Sequence, residues 1–449
     1  MADEYFSIKG GVCLSGRVRI SGGKNAVLPA IAAALLTADD CTFDNVPEIE
    51  DVDVMGSIVE ALGGTVEWAG PGTLRCNASQ IHTTAAPSDL VVKNRASFLV
   101  MGSLLGRFGE AACCPPGGDV IGQRPLDVHL AGFNALGAHL SRRDDKYCAQ
   151  APKLRGARIF MDYPSNMGTE NLLLAAVLAE GNTVIKNAAA EPEIACLADL
   201  LNAMGAKVHG AGSNTIEIEG VPELHGARHP IIPDRIEAGT FAVAAAITEG
   251  DATLEAVQPE HLDALIWKLR EAGAEVTTRH DSMRVCCRGE LQAVSVQALP
   301  YPGFATDLQA AMGTLLTQAR GVSTLYERVY DNRLLYVSEL RKMGAEIVVA
   351  GQTAIISGPS PLIGSGVRAL DIRSGAALVL AGLKAAGTTR VADIWHLERG
   401  YDHLDDKLRG LGAEIERVSS PVSSVSRLSQ PRGPRQETKD QRLKTKREH

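Results

Sequence analysis

The sequence predicts an α/β protein of two globular domains, each built from three similar units. Three observations carry that expectation. One short phrase recurs six times along the chain, a second phrase falls between its copies, and the composition is that of an aliphatic globular protein.

The first phrase reads "ALGGTVE" at 61–67, "ALGAHLS" at 135–141, "AMGAKVH" at 203–209, "EAGAEVT" at 271–277, "KMGAEIV" at 342–348 and "GLGAEIE" at 410–416. Its first glycine falls at 63, 137, 205, 273, 344 and 412, so the intervals are 74, 68, 68, 71 and 68 residues. Each copy reads as an amphipathic helix that ends on a left-handed C-cap glycine and runs straight into a β-alternating strand. The second phrase, in "LAEGNTVIKNA", "ITEGDATLEAV" and "KAAGTTRVADI", ends a helix at Gly181, Gly250 or Gly387 and starts a short Thr/Val strand. A unit is therefore strand–helix–strand–helix–strand. Simple solenoid repeats run about 20–50 residues, so six units of this length suit two domains of three better than a linear array.

Composition sets outer bounds. A chain of 449 residues exceeds one ordinary core. Hydrophobic residues make up 45 % and aromatics only 4 %, so the core must be aliphatic. A net charge of −8 gives no general attraction to nucleic acid or to an anionic membrane. Nine cysteines include the adjacent pairs Cys113–Cys114 and Cys286–Cys287 but no CxxC, so neither zinc nor redox spacing is present. With no signal-peptide pattern, this points to the cytoplasm. No apolar run reaches the roughly 18 residues of a membrane helix. From Ser419 to His449 there are eight Lys/Arg against three Asp/Glu and almost no apolar residues, which reads as a disordered basic tail.

"PPGGDVIGQRPLDVHL" at 115–130 breaks the pattern. Its prolines and glycines forbid a regular helix or central strand, and they lead to one carboxylate, Asp119, five residues before Arg124. "GGDVIG" is not a dinucleotide fingerprint, because no GxGxxG follows a first strand.

The phrases "SGGKNAVLPAIAAALL" (21–36), "GGDVIGQRPLDVH" (117–129), "NAAAEPEI" (187–194), "PDRIEAGTF" (233–241), "FATDLQ" (304–309) and "ERGYDHLDDKLRGLGAEIERV" (398–418) resemble, in order, those of the enolpyruvyl transferases. The match is best to the branch that acts on UDP-N-acetylglucosamine. The resemblance implies an inside-out α/β barrel of two domains. Residues 1–22 and 233–418 would form one, residues 23–232 the other with the Asp119 loop, and the active site would lie in the cleft between them.

The resemblance also implies transfer of the enolpyruvyl group of phosphoenolpyruvate to a hydroxyl of a uridine nucleotide. The acceptor would be the 3-hydroxyl of UDP-N-acetylglucosamine, in peptidoglycan synthesis. The alternative is a paralogue that uses another uridine nucleotide, such as UMP in nucleoside-antibiotic biosynthesis. The substrates are small molecules, with no nucleic acid, no membrane, no metal and no cofactor.

Phosphoenolpyruvate carries a phosphate and a carboxylate, so its site needs several cations. By resemblance Lys24, Arg124 and Arg399 hold it, with Arg333 and Arg373 around the closed site. Asp307 takes or orients the acceptor's hydroxyl proton, although from sequence alone it could also cap the helix that begins "LQAAMGTLL". Asn25, Arg95, Arg124, Pro125, Leu126, Asp127, Ser165 and Val329 match acceptor-binding positions, with Leu126 and Val128 framing the uracil.

Four departures from the family pattern stand out. Asp119 replaces the usual cysteine, whose thiolate fosfomycin alkylates. A carboxylic acid can deliver the same proton if a closed loop raises its pKa, an effect that neighbouring arginines would oppose. Ala305 replaces a proline, which would loosen that turn. Asn166 and Met167 follow Ser165 where small residues let backbone amides approach a diphosphate. Leu99 stands where some relatives carry an aromatic.

Overall fold

The computed structural model describes residues 4–419. Those residues form six small sheets, five of four strands and one of three, and none closes into a barrel. The strands bury one face each, as in the alternating patterns of Thr215–Glu219 and Thr388–Ala392. Three of the helices are buried nearly all round. In Lys24–Ala34 ten of eleven residues are buried, and in Arg235–Ile247 and Ile372–Lys384 twelve of thirteen. Alanine and glycine are what let such helices approach one another inside a ring of sheets.

The six repeat glycines all adopt the left-handed conformation, with φ between +93° and +108°. Residues with a Cβ are strained there, which is why the phrase keeps glycine at that point. Gly181 and Gly387 do the same, but in the second copy of the second phrase Glu249 takes the left-handed position instead. Gly250 is small for another reason, since a Cβ there would meet the Leu14 carbonyl oxygen at 2.2 Å.

In four of the six units the chain forms one strand more than the spacing predicts. The first runs Ser15–Arg19, Lys24–Ala34, Cys41–Asp44, Glu50–Leu62, Thr65–Gly70 and Thr73–Asn77. The two last strands are a tight hairpin, and its short turn hardly interrupts the alternation in the sequence.

Two sheets exchange their outer strands. Ser15–Arg19 pairs in parallel with Asp251–Glu255, and Arg228–Pro230 pairs in parallel with Cys41–Asp44. The connecting segments run side by side. The Gly23 amide donates to the Ile232 carbonyl at 2.7 Å, and the Asp234 amide to the Ser21 carbonyl at 2.8 Å. Two separate cores flank this crossing, one spanning Ala26 to Ile231 and the other Phe6 to Ile20 with Ile236 to Ile415.

The N-terminal strand Glu4–Lys9 pairs antiparallel with both Thr388–Ala392 and Glu414–Ser419, which completes the sixth unit. The basic tail expected from 419 onward lies, apart from Ser419, outside the described residues. Because the last strand already finds its partner, truncation after Ser419 is expected to leave turnover and melting temperature nearly unchanged. A thermal melt and an activity assay check this, and a large drop in either would show that the tail packs on the body.

Candidate active site

A cleft of about 490 Å³ opens where the two cores face each other across the crossing. Lys24 lies in it because it is the first residue of the helix that starts directly after the crossing. Its backbone N–H donates to Asp234 Oδ2 at 3.2 Å, and the same Asp234 carboxylate caps Arg235–Ile247 through the amides of Ile236 and Glu237. One acid thus pins two helix starts against each other across the crossing.

The cleft is lined by seven cations, namely Lys24, Arg95, Arg124, Arg235, Arg333, Arg373 and Arg399. Five acids line it too, Asp51, Asp119, Asp307, Glu170 and Glu191. A positive cleft in a chain of net charge −8 suits small anions rather than polyanions.

Arg399 is the centre of one network. Its Nε donates to Asp51 Oδ1 at 3.1 Å and its Nη1 to Asp119 Oδ1 at 2.6 Å. Lys24 Nζ pairs with the other Asp51 oxygen at 2.6 Å. Asp51 was not singled out from sequence. It is one of three acids in the first turn of Glu50–Leu62, where acids are ordinary. Only the fold shows it to be 1 % exposed between two cations.

Asp119 is presented by the loop of 115–125. Gly117 lies so close to Val92 that a Cβ would collide with its carbonyl oxygen, and Gly122, at φ +131°, lies against Asp331. From the far side of the cleft, Asp331 Oδ1 accepts from the Gln123 amide at 3.1 Å and Asn332 N–H donates to the Ile121 carbonyl at 3.2 Å. Arg124 turns back to donate to the Asp119 carbonyl at 2.5 Å, and Arg95 donates to the carbonyl of Arg124. The lone acid five residues from an arginine thus belongs to a strap drawn over the cleft. Burial pushes the Asp119 carboxyl up, but Arg399, Lys24 and Arg333 outweigh it and hold it below the usual carboxylate range. Loop closure alone therefore does not raise its pKa.

Asp307 anchors a second network, with Arg333 Nη2 at 2.9 Å and Arg373 Nε at 3.1 Å. It caps no helix. Gln309–Leu316 has no side-chain cap, and Asp307 sits in the preceding 3₁₀ turn Thr306–Leu308. Burial acts to raise its pKa, yet Arg373, Arg333, Arg235 and Lys24 drive it far below the usual range. Ala305 does not loosen the turn, because its φ of −62° is the angle a proline would impose and Leu308 N–H closes on its carbonyl at 3.0 Å. Glu327 ties the far wall to this turn by accepting from Thr306 Oγ1 at 2.8 Å and the Val329 amide at 2.7 Å.

Of the residues expected from sequence, Lys24, Asn25, Arg95, Asp119, Arg124, Pro125, Ser165, Asp307, Val329, Arg333, Arg373 and Arg399 all line this cleft. Leu126 and Val128 do not, since both belong to the core. Asp127 is exposed and not part of the lining, and its Oδ1 accepts from the hydroxyl of the lining residue Tyr163 at 2.8 Å. Ser165 caps Asn166–Ala176 by accepting from the Gly168 amide at 3.1 Å. In the first turn of that helix a Cβ on Gly168 would meet side-chain atoms of Met161, Val128 and Ser165 at 2.9–3.0 Å, while Met167 packs partly on the core.

Six repeated α/β units around two cores, with a cationic cleft crossed by an acid-bearing strap, fit an enolpyruvyl transferase. The family model of EPSP synthase (3-phosphoshikimate 1-carboxyvinyltransferase) matches residues 8–408, and the chain belongs to that family. It is 50 % identical over 418 residues to UDP-N-acetylglucosamine 1-carboxyvinyltransferase 2 of Carboxydothermus hydrogenoformans, covering 93 % of this chain and all of the relative. It is 47 % identical over 418 residues to the UDP-N-acetylglucosamine 1-carboxyvinyltransferase of Finegoldia magna, covering 92 % and 99 %. Among solved structures, the enolpyruvyl transferase NikO from Streptomyces tendae superposes with a TM-score of 0.85 at 26 % identity, covering 94 % of this chain and all of that one. No described helix is long and apolar enough to cross a membrane.

Proposed function

We propose that this enolpyruvyl transferase uses UDP-N-acetylglucosamine as its acceptor and joins the enolpyruvyl group of phosphoenolpyruvate to the sugar's 3-hydroxyl, the committing chemistry of peptidoglycan synthesis. The observation that carries the reading is Asp119 on Arg399 beside the Lys24–Asp51 pair, in a chain about half identical to relatives named for that activity. In this reading the chain divides into residues 1–22 with 233–418 and residues 23–232. The two cores and the exchanged strands support that division.

The networks suggest how the residues work. Lys24, Arg124 and Arg399 receive the phosphate and carboxylate of phosphoenolpyruvate, with Arg333 and Arg373 at the closed end. Nη1 of Arg373 is buried without a hydrogen-bond partner, a donor ready for an anion. Substrate anions replace Asp119 as the partner of Arg399. With that attraction weakened, burial prevails and Asp119 takes up a proton. Asp307 orients the acceptor hydroxyl and takes its proton as the new C–O bond forms at C2 of phosphoenolpyruvate. Asp119 protonates C3, which gives a tetrahedral ketal phosphate. Loss of a proton from C3 and cleavage of the C2–O bond to phosphate then restore the double bond and release phosphate.

A second reading, with UMP or another uridine nucleotide as acceptor, draws on Met167, which lines the cleft where a small residue was expected. Phosphate release measured against both nucleotides separates the two. Turnover with UDP-N-acetylglucosamine is the expected result, and turnover with UMP alone would overturn the first reading. Met167→Gly is expected to shift preference toward diphosphate acceptors, and an unchanged ratio of kcat/KM values would remove Met167 from the argument.

A further inference from the structure

One lining acid has no part in the chemistry above. Glu170 lies on Asn166–Ala176, in a stretch whose other members are leucine, alanine, threonine and asparagine, and is 2 % exposed. Its Oε1 is sealed from solvent with no hydrogen-bond partner. The same holds for Oε2 of Glu191 and Oδ1 of Asn166, and all three residues line the cleft. A third carboxylate, Glu193, is also buried, but it holds Arg235 through two bonds of 2.9 and 3.3 Å. The guanidinium is thus bound to Glu193 and also acts on Glu191, while Glu170 has only the two other acids as charged neighbours. A buried carboxyl without a partner is costly, and a helix interior would normally replace it with an apolar residue. Its presence on a cleft wall points to a ligand group that completes it.

The surroundings say which group. A phosphate is disfavoured beside three carboxyls, of which Arg235 acts on two. A hydroxyl or an amide is not. The wall also stands close enough to the reacting acid for Arg235 to act electrostatically on Asp307, so it faces the sugar whose hydroxyl Asp307 handles.

We propose that Glu170, with Glu191 beside it, is a specificity-determining residue that hydrogen-bonds a hydroxyl or amide substituent of the sugar bearing the reacting hydroxyl. This rests on the enolpyruvyl-transfer reading above. Burial, then Glu193 and Glu191, push the Glu170 carboxyl well above its ordinary range, so it meets the ligand as a neutral acid that both donates and accepts.

Glutamine mimics a neutral carboxyl and valine does not, so Glu170→Gln and Glu170→Val test the proposal through steady-state kinetics with the acceptor that the wild type turns over. Glu170→Val should raise the acceptor KM roughly ten- to a hundredfold with little change in kcat or in the KM for phosphoenolpyruvate. Glu170→Gln should stay within about threefold of wild type. Calorimetry with UDP, which lacks the acceptor sugar, should give one Kd for wild type and both variants. A wild-type acceptor KM in Glu170→Val, or a Glu170→Gln enzyme equally impaired, would overturn the proposal. So would weaker UDP binding, which would place Glu170 on the diphosphate. If Glu170→Val does not fold, the Gln variant and the UDP titration still decide. A wild type that uses only UMP would overturn the acceptor reading and leave Glu170 tested through the KM for UMP. A wild type that uses neither nucleotide would overturn the transfer reading and this inference together.

Discussion

Asp119→Asn is expected to lose roughly 10²- to 10³-fold in turnover while binding the nucleotide as the wild type does. The amide keeps the size of the side chain and its place on the strap but cannot deliver an acidic proton to C3. Its pairing with Arg399 at 2.6 Å becomes a neutral hydrogen bond, so the strap stays anchored by Gln123 and Ile121 on the 331–332 segment. Asp119→Cys should remain active, because a thiol can also hand over a proton. The two reactive groups differ toward fosfomycin. A thiolate opens its epoxide, whereas a carboxylate held at low pKa by Arg399 and Lys24 is a poor nucleophile. The wild type should therefore resist covalent inactivation and Asp119→Cys should become sensitive. Time-dependent inhibition with intact-mass analysis of all three proteins checks this. A drug adduct on the wild-type strap, or normal turnover in Asp119→Asn, would show that another residue supplies the proton.

The second large effect is expected at Arg399. It is buried, and it joins Asp51 on one core to Asp119 on the strap while facing the substrate cleft. Removing one member of a buried, hydrogen-bonded charge set costs about 2–5 kcal/mol, and Arg399→Ala should accordingly lose roughly 10²-fold or more in kcat/KM for phosphoenolpyruvate. Lys24 stays with Asp51 at 2.6 Å, so that acid is not left bare and the fold should survive. Arg399→Lys should recover only part of the loss, since an ammonium cannot span both acids as the planar fork does. Unchanged phosphoenolpyruvate kinetics in Arg399→Ala would reduce Arg399 to a clasp for the strap.

Much of this protein could be read from the chain alone. The six glycines at the ends of helices announced the repeat, because a left-handed residue that must turn a helix into a strand leaves little choice of amino acid. Asp119 stood in a phrase whose prolines and glycines do not suit a core, and Arg124, Asp307 and Arg399 stood out through the resemblance of their phrases to those of the enolpyruvyl transferases. What the sequence left open depends on distances between parts of the chain far apart in number. Asp51 and Glu170 look like an ordinary first-turn acid and an ordinary helix glutamate. Their burial follows from the exchange of Ser15–Arg19 and Arg228–Pro230 between sheets, which folds two cores face to face over them. The direction of the Asp119 pKa was likewise undecidable, since burial and cations oppose each other and the sign is settled by the 2.6 Å approach of Arg399, 280 residues away, together with Lys24 and Arg333. Local geometry restricts which residues can stand at a turn, so it is written in the sequence. Electrostatics inside a cleft depends on which distant charges meet there, and that is decided by tertiary structure.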